Sequence, residues 1–252
     1  MALLPAKFQF FSVGDSLRKG FPPKGAPLLL TPSFNPMIPP PIVPYQTFLI
    51  FGAPGSGKGT QGSILGRIPR FIHFACGDVF RSLDTRTALG KAFVEYSSKG
   101  QLVPDELTVQ LWEANIRSQV DSHHFKPDID FLVLDGIPRN VGQARIMEPY
   151  IEVMGVFHLS CPDREELRRR LRKRALKDNR FDDARDDVIE RRIQTYEAET
   201  KPVLDYYSSG KYAHQQLVRD IDATKHPAIV AYEMLNVIIH LPAWQKASEA
   251  VY

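Results

Sequence analysis

The sequence has few cysteines, no long apolar run and little net charge, and each shortage excludes a class of protein. Only Cys76 and Cys161 occur among 252 residues, which excludes a disulfide framework and indicates a reducing compartment. No stretch approaches about 18 consecutive apolar residues, so a membrane-spanning helix is excluded. With 32 basic and 29 acidic residues the net charge is +3, too slight to indicate nucleic-acid binding by itself. Hydrophobic and charged fractions of 43% and 24% then indicate a globular, intracellular chain.

The first 45 residues lack acidic side chains apart from Asp15, and they hold 10 of the 20 prolines. Proline clusters at 22–23 and 39–41 are incompatible with a regular helix or a central strand. The favoured interpretation is a Pro-rich, flexible N-terminal extension over 1–45. An organelle-targeting peptide is the alternative, but Arg18 is the only arginine in the segment, whereas such peptides are usually rich in arginine.

After residue 45 the pattern changes to short apolar strands that alternate with helical stretches. The predicted strands are at 47–51, 71–74, 131–134, 155–159 and 216–221. The predicted helices are at 60–68, 107–120, 165–175, 187–207 and 228–239. Unbroken apolar strands between helices are typical of a parallel sheet that is covered on both faces. We therefore predict an α/β fold with a doubly wound, five-stranded parallel sheet, with ligands at the carboxyl ends of its strands.

The segment GAPGSGKGT at 52–60 follows the first predicted strand and precedes the first predicted helix. Its glycines allow several backbone N–H groups to point at phosphate oxygens, the helix adds the positive end of its dipole, and Lys58 brings a full charge. This is the phosphate-binding pattern G-x-x-x-x-G-K. Gly59 stands where a serine or threonine is common, and Thr60 comes one place later. We therefore expect magnesium to be held mostly through water rather than directly by a hydroxyl.

Charged residues follow the next two predicted strands. Arg81 comes shortly after the second strand, and Asp135 ends the third strand with Arg139 four residues further on. An aspartate at the end of an apolar strand, beside a phosphate loop, is expected to face the phosphates and hydrated magnesium. The plain alternatives are a helix cap for Asp135 and a surface charge for Arg139. Their joint occurrence beside a phosphate loop favours a site.

These motifs, in this order, resemble the adenylate kinase family of nucleoside monophosphate kinases, of the short-lid type. The resemblance runs from about residue 48 to 235. It is carried by GAPGSGKGTQ at 52–61, CGDVFR at 76–81, GQLVPDE at 100–106, DGIPR at 135–139 and the arginine-rich stretch through Arg192.

The resemblance implies a sheet of the P-loop kinase type with two small additions. A helical insert that binds the acceptor monophosphate is expected at about 76–106, and a short lid at about 174–183. The whole adenylate kinase-like domain then covers 46–240, between the extension at 1–45 and a C-terminal tail at 241–252.

The resemblance also implies a role for each matching residue. The implied ATP-binding residues are Gly55, Ser56, Gly57, Lys58, Gly59, Thr60, Arg170, Arg174 and Lys225. The implied AMP-binding residues are Cys76, Arg81, Gln101, Leu102, Val103, Gly136, Ile137, Pro138, Arg139, Gln143, Arg180 and Arg192. The implied catalytic residues are Lys58, Asp135, Arg139, Arg174, Arg180 and Arg192. So many cations suit the reaction, because two nucleotides bring about six negative charges together.

What the resemblance implies about function is the reversible transfer of the terminal phosphoryl group of ATP to AMP, giving two ADP. We expect a monomeric, cytoplasmic enzyme that uses Mg²⁺ with ATP, without zinc and without a nucleic-acid or membrane partner. One alternative is a UMP/CMP kinase, because Cys76, Ile137 and Asn140 depart from the adenylate kinase pattern, whereas Gln143 favours adenine. A P-loop ATPase or nucleic-acid-binding protein is less favoured, since it has no use for a second nucleotide pocket.

Overall fold

The computed structural model describes residues 41, 43–178, 185–242 and 244–245. Most of the predicted extension at 1–45, half of the predicted lid at 174–183 and most of the predicted tail at 241–252 lie outside these residues. Arg180 lies outside them as well. Within the described part of the chain, no helix is both long and apolar enough to cross a membrane.

The predicted five-stranded parallel sheet is confirmed. Its strands are Tyr45–Gly52 (β1), Phe71–Ala75 (β2), Phe131–Asp135 (β3), Ile151–Ser160 (β4) and Val218–Asp222 (β5). They lie side by side in the order β2-β3-β1-β4-β5, and all neighbouring pairs are parallel. β1 is therefore central, with β3 on one side and β4 on the other. In such a sheet the ligand crevice lies outside the carboxyl ends of the strands, where the strand order reverses.

Nine α-helices occur in the part of the chain that the structure describes, eight between the strands and one after the last strand. They are Lys58–Leu65 (α1), Cys76–Arg81 (α2), Ala88–Ser98 (α3), Asp105–Asp121 (α4), Val141–Met147 (α5), Arg164–Asp178 (α6), Asp186–Thr195 (α7), Pro202–Ser208 (α8) and Pro227–Ile238 (α9). α2 and α3 lie within the helical insert that the resemblance implies at about 76–106, but neither they nor α5 were predicted as individual helices. α2 and α5 have only 6 and 7 residues, too few for a helical periodicity to be recognised.

The prediction of a single helix at 187–207 is wrong, because the structure has three helical segments over this range. A π-helical turn at Tyr196–Thr200 separates α7 from α8. Pro202, in the first turn of α8, has no N–H to donate to the preceding turn. Because of the π-helical turn, the side chains after Thr195 point in directions that differ from those in a continuous α-helix.

The core of the sheet is aromatic and centres on Phe48 of β1. The ring of Phe48 lies 6.0 Å from Phe71, 5.7 Å from Phe131 and 6.1 Å from Phe157. Gly155 makes room for it, since a Cβ at that position would lie 3.3 Å from the Phe48 ring. These rings fix the strands so that their carboxyl ends form one edge.

Strand register brings the polar strand ends together at that edge. Asp135, the last residue of β3, lies opposite Ile50 of β1 and Ala75 of β2. Gly52 at the end of β1 lies opposite Leu159 of β4. The phosphate loop, the start of α2 and the Asp135 carboxylate therefore meet in one place.

Candidate active site

A cleft of about 1100 Å³ lies at the carboxyl edge of the sheet. This volume is slightly above the range of about 300–1,000 Å³ that is usual for a ligand pocket. Of the predicted site residues that the structure describes, all but Ile137 line the cleft. Ile137 is only 2% exposed and belongs to the hydrophobic interior.

The cleft is strongly positive. Among the described residues, ten basic side chains line it, namely Lys58, Arg81, Arg139, Arg169, Arg170, Lys173, Arg174, Lys177, Arg192 and Lys225. Three acidic side chains line it, namely Asp78, Asp135 and Glu166. Ten minus three gives a formal charge of +7, compared with +3 for the whole chain. Such a cleft selects polyanionic ligands.

The phosphate loop runs from Gly52 to the first turn of α1 and depends on its glycines. Gly52, Gly55 and Gly57 have φ values of 152°, 88° and 98°, which L-residues with side chains rarely adopt. A Cβ at Gly52 would lie 2.5 Å from the Ser56 Oγ and 2.8 Å from the Leu159 carbonyl oxygen. The tight curl directs the free N–H groups of the first turn of α1 into the cleft.

Lys58 folds back over this loop. Its Nζ donates hydrogen bonds to the carbonyl oxygens of Gly52 at 2.6 Å and Ala53 at 3.1 Å. Burial lowers the pKa of Lys58 to about 8, and the nearby cations Arg139, Arg174 and Arg192 act in the same direction while Asp135 opposes them. An anionic partner, such as a phosphate group, would therefore stabilise the charged form of this ammonium group.

Asp135 lies beside the phosphate loop and caps neither α1, which has no side-chain cap, nor α5. A Cβ added to Gly59 would be 3.5 Å from the Asp135 Oδ2, so the carboxylate faces the start of α1. The cap of the next helix, α5, is supplied by Asn140, whose side chain accepts from the N–H of Gln143. Asp135 is a hard oxygen ligand next to the phosphate loop, which fits Mg²⁺, an ion usually held by one or two carboxylates together with phosphates and water. No group of three or more His, Cys, Asp or Glu placed to hold a metal occurs within residues 43–178 and 185–242.

The opposite wall is formed by α2 and the segment that precedes α4. Cys76 begins α2 and is 1% exposed. Burial raises the pKa of its thiol to about 11, with Asp135 adding to the shift and Arg139 opposing it. Arg81, at the end of the same helix, donates to Asp78 at 2.5 Å. The wall thus presents a neutral thiol beside a guanidinium group.

Arg139 and Gln143 leave the carboxyl end of β3 together. The Nε of Arg139 donates to the Gly136 carbonyl oxygen at 2.8 Å, and its backbone N–H donates to the Gln143 Oε1 at 2.7 Å. The Nε2 of Gln143 donates to the Oδ1 of Asp105 at 2.8 Å. The guanidinium group is half-buried and is directed at the cleft, so Arg139 is not an ordinary surface charge.

The arginines of α6 divide into two sets. Arg170 donates to Glu166 at 2.7 Å and to the Ala223 carbonyl oxygen at 2.9 Å, which ties α6 to the loop after β5. Arg164, Arg168 and Arg172 form ion pairs with Glu190, Glu197, Glu165 and Asp186. The sequence of this stretch predicts a solvated basic face made of Arg164, Arg168, Arg169 and Arg172. The ion pairs neutralise Arg164, Arg168 and Arg172, whereas Arg169 is exposed but also lines the cleft.

Several cleft residues were not found from the sequence. Arg169, Lys173 and Lys177 continue the basic lining along α6, but their spacing was not distinguishable from that of the other cations of a highly basic helix. Lys225 was expected and lines the cleft, and its Nζ donates to Glu233 at 2.6 Å.

A partly buried histidine supports another cleft residue that the sequence did not reveal. Tyr196, at the start of the π-helical turn, lines the cleft, and its hydroxyl lies 3.0 Å from the Nε2 of His158. The Nδ1 of His158 lies 2.5 Å from Asp220 on β5. Burial raises the pKa of Tyr196 to about 12, so its hydroxyl stays protonated at neutral pH.

Comparison with known proteins agrees with this geometry. A family model described as "Adenylate kinase" matches residues 50–212. The adenylate kinase of Phocaeicola vulgatus is 34% identical over 194 residues, which cover 74% of this chain and 98% of that protein. Adenylate kinases of Bacteroides fragilis and Porphyromonas gingivalis are 38% and 37% identical over 173 and 172 residues. These matches cover 66% of this chain in both cases, and 87% and 84% of the two relatives.

Proposed function

Because the chain belongs to the adenylate kinase family, we infer that it catalyses the reversible transfer of the terminal phosphoryl group of ATP to AMP, giving two molecules of ADP. The observation that carries this conclusion is a single cleft with a phosphate loop on one wall and Arg81, Arg139 and Gln143 on the other. An ATPase without an acceptor has no use for the second wall. The alternative of a UMP/CMP kinase is not favoured, since the relatives are adenylate kinases.

We propose that the phosphates of ATP bind in the loop from Gly55 to Thr60. The N–H groups of the first turn of α1 and the Nζ of Lys58 are the donors on this side. Lys58 would exchange the neutral carbonyls of Gly52 and Ala53 for charged phosphate oxygens, which form the stronger hydrogen bonds. The backbone of Lys225 and the side chain of Arg170 would border the base of ATP.

The acceptor nucleotide binds on the opposite wall in this proposal. Arg81 and Arg139 grip its phosphate, because a planar guanidinium group can hold two oxygens at once. Gln143 meets its base. The remaining wall is supplied by Cys76, Gly136, Pro138 and the segment 101–103, all of which line the cleft.

Transfer then needs alignment and charge rather than covalent help from the protein. The phosphate of AMP is largely dianionic at neutral pH, because its second pKa is about 6, so the attacking oxygen needs no general base. Its lone pair forms the new P–O bond while the bond to the bridging oxygen of ATP breaks and ADP leaves. Lys58, Arg174 and Arg192, with Arg180 from the lid, stabilise the charge that moves during this step.

Magnesium is the cofactor in this proposal. Asp135 would hold the hydrated ion beside the phosphate loop, and the ion would supply charge neutralisation for the ATP phosphates. We further propose a monomeric enzyme of the cytoplasm, without a nucleic-acid partner. The proposed organisation is a Pro-rich extension at 1–45, a kinase domain at 46–240 with an acceptor insert at 76–106 and a lid at 174–183, and a tail at 241–252.

The test is a phosphoryl-transfer assay with magnesium–ATP and each nucleoside monophosphate in turn, with ADP separated by chromatography. We expect turnover with AMP well above that with UMP, CMP or GMP, and formation of ATP and AMP when ADP alone is supplied. ADP formation that does not depend on any acceptor would overturn the proposal. A preference for UMP or CMP would keep the reaction and overturn the assignment of the base.

A further inference from the structure

The side chain of Gln143 is held from two sides by groups with fixed hydrogen-bonding roles. Its Oε1 accepts from the backbone N–H of Arg139 at 2.7 Å, and its Nε2 donates to the Asp105 Oδ1 at 2.8 Å. A backbone N–H can only donate, and an ionised carboxylate can only accept. If the amide rotated by 180°, its NH₂ group would face the N–H of Arg139 and its oxygen would face the carboxylate of Asp105. Both contacts would be repulsive, so this rotation is disfavoured.

Asp105 is itself fixed in place. The Nδ2 of Asn140 donates to the same Oδ1 at 2.8 Å, and the Asn140 Oδ1 accepts from the N–H of Gln143 at 2.8 Å. Gly142 leaves space for the carboxylate, because a Cβ there would lie 3.1 Å from the Asp105 Oδ2. A closed ring of hydrogen bonds thus joins the first turn of α4 to the first turn of α5.

This ring leaves Gln143 with one unused amide N–H and one unused lone pair. The side chain belongs to the cleft wall but exposes 0% of its surface to water. A base that reaches the amide must therefore match its pattern, since no solvent satisfies a mismatched group. Adenine offers an amino donor next to a ring-nitrogen acceptor, which complements a glutamine amide. Guanine carries a carbonyl oxygen in place of that amino group, and this oxygen would oppose the Oε1.

We propose that Asp105 is the positioning residue that makes the acceptor site select adenine over guanine. Asp105 does not line the cleft and acts only through Gln143. Its carboxylate fixes the orientation of the Gln143 amide, so that the Oε1 and the Nε2 cannot exchange places. The acceptor base is then selected by this fixed arrangement of donor and acceptor. The proposal rests on the adenylate kinase activity inferred above and names the determinant of its acceptor specificity.

The test compares three variants in the full-length chain. Asp105→Ala removes the acceptor for Nε2, whereas Asp105→Asn keeps a carbonyl oxygen that can accept both hydrogen bonds. Glu106→Ala is the matched control, because Glu106 is an acidic residue in the same first turn of α4 and does not line the cleft. The measurements are kcat, KM for AMP, KM for ATP, and the ratio of kcat/KM for AMP to that for GMP.

We expect Asp105→Ala to raise KM for AMP about tenfold and to lower the AMP-to-GMP ratio by about the same factor, since a bidentate base contact is worth about 1–3 kcal/mol. KM for ATP should change less than about twofold, and Asp105→Asn and Glu106→Ala should behave like the parent chain. An unchanged AMP-to-GMP ratio in Asp105→Ala would overturn the proposal. Parallel increases in KM for both nucleotides, or an Asp105→Asn variant as impaired as the alanine variant, would do so too.

Failure of this proposal can be distinguished from failure of the inferred adenylate kinase activity on which it rests. A parent chain without AMP-dependent ADP formation overturns the inferred activity itself, whatever the variants do. If Asp105→Ala does not fold, as judged by circular dichroism, Asp105→Ser replaces it, because serine suits the start of a helix but is too short to reach Gln143.

Discussion

The Nζ of Lys58 lies 2.6 Å from the carbonyl oxygen of Gly52, so the one lysine of the phosphate loop is bonded to the residue that begins the loop. This contact closes the loop upon itself. It also keeps the ammonium group at the point where phosphate oxygens would enter. Two predictions depend on it.

The first prediction concerns catalysis by Lys58→Met, which removes the charge but keeps most of the side-chain volume. We expect kcat/KM to fall by about 10²–10³, the range for loss of one donor to the transferring group. The circular dichroism spectrum should be unchanged. Lys126→Ala, at an exposed lysine in the loop after α4, is the control. A folded Lys58→Met variant with the parent activity would contradict the role given to Lys58.

The second prediction concerns stability at alkaline pH. The pKa of Lys58 is lowered to about 8 in the folded protein from 10.5, so between these values the unfolded chain binds more protons than the folded chain. The free energy of unfolding contributed by this group therefore increases as pH rises from about 8 to 10. The increase has an upper limit of about 3 kcal/mol.

The measurement for this pH effect is urea unfolding of the parent chain and of Lys58→Met at several pH values. The difference in unfolding free energy, parent minus variant, should rise across the window, because other titrating groups are common to both proteins. A difference that is constant with pH would contradict the lowered pKa.

A pair of alanine substitutions separates backbone strain from steric conflict in the loop. At Gly57, with φ of 98°, an added Cβ meets no atom within 4 Å, so Gly57→Ala should cost only the strain of about 1–2 kcal/mol. At Gly52 the Cβ would also lie 2.8 Å from the Leu159 carbonyl oxygen, and Gly52→Ala should destabilise the protein more. Equal losses in urea unfolding would show that the close approach at Gly52 is relieved elsewhere.

The acceptor phosphate should distinguish a guanidinium group from an ammonium group at residue 139. Arg139→Ala is expected to lower kcat/KM for AMP by about 10² or more, and Arg139→Lys should restore only part of the loss because it keeps the charge without the fork. Arg145→Ala, at an exposed arginine of α5, is the control. Transfer to AMP at the parent rate by Arg139→Ala would exclude Arg139 from the acceptor site.

The sheet and the phosphate loop were predictable because both depend on local pattern. Each strand is a short apolar run, and the loop is a contiguous motif in which Gly52, Gly55 and Gly57 have positive φ values. The contact between Asp105 and Gln143 was not predictable in this way, because 38 residues separate the two positions and neither helix start carries a periodic signal. Arg170 and Arg174 on α6, which the resemblance implies bind ATP, both line the cleft. Arg169, Lys173 and Lys177 were missed because charge alone does not say which face of a helix meets a cleft.

The positive charge of the cleft is concentrated in one region of the described chain. With +7 at the cleft and +3 in total, the side chains elsewhere sum to −4. A matrix of immobilised phosphate groups should therefore bind the cleft and retain the protein more strongly than its total charge would suggest. Nucleotides that fill the cleft should release the protein from the matrix at a low salt concentration. The same salt concentration should not elute a protein of equal net charge that binds no nucleotide, so elution by nucleotide reports on the site.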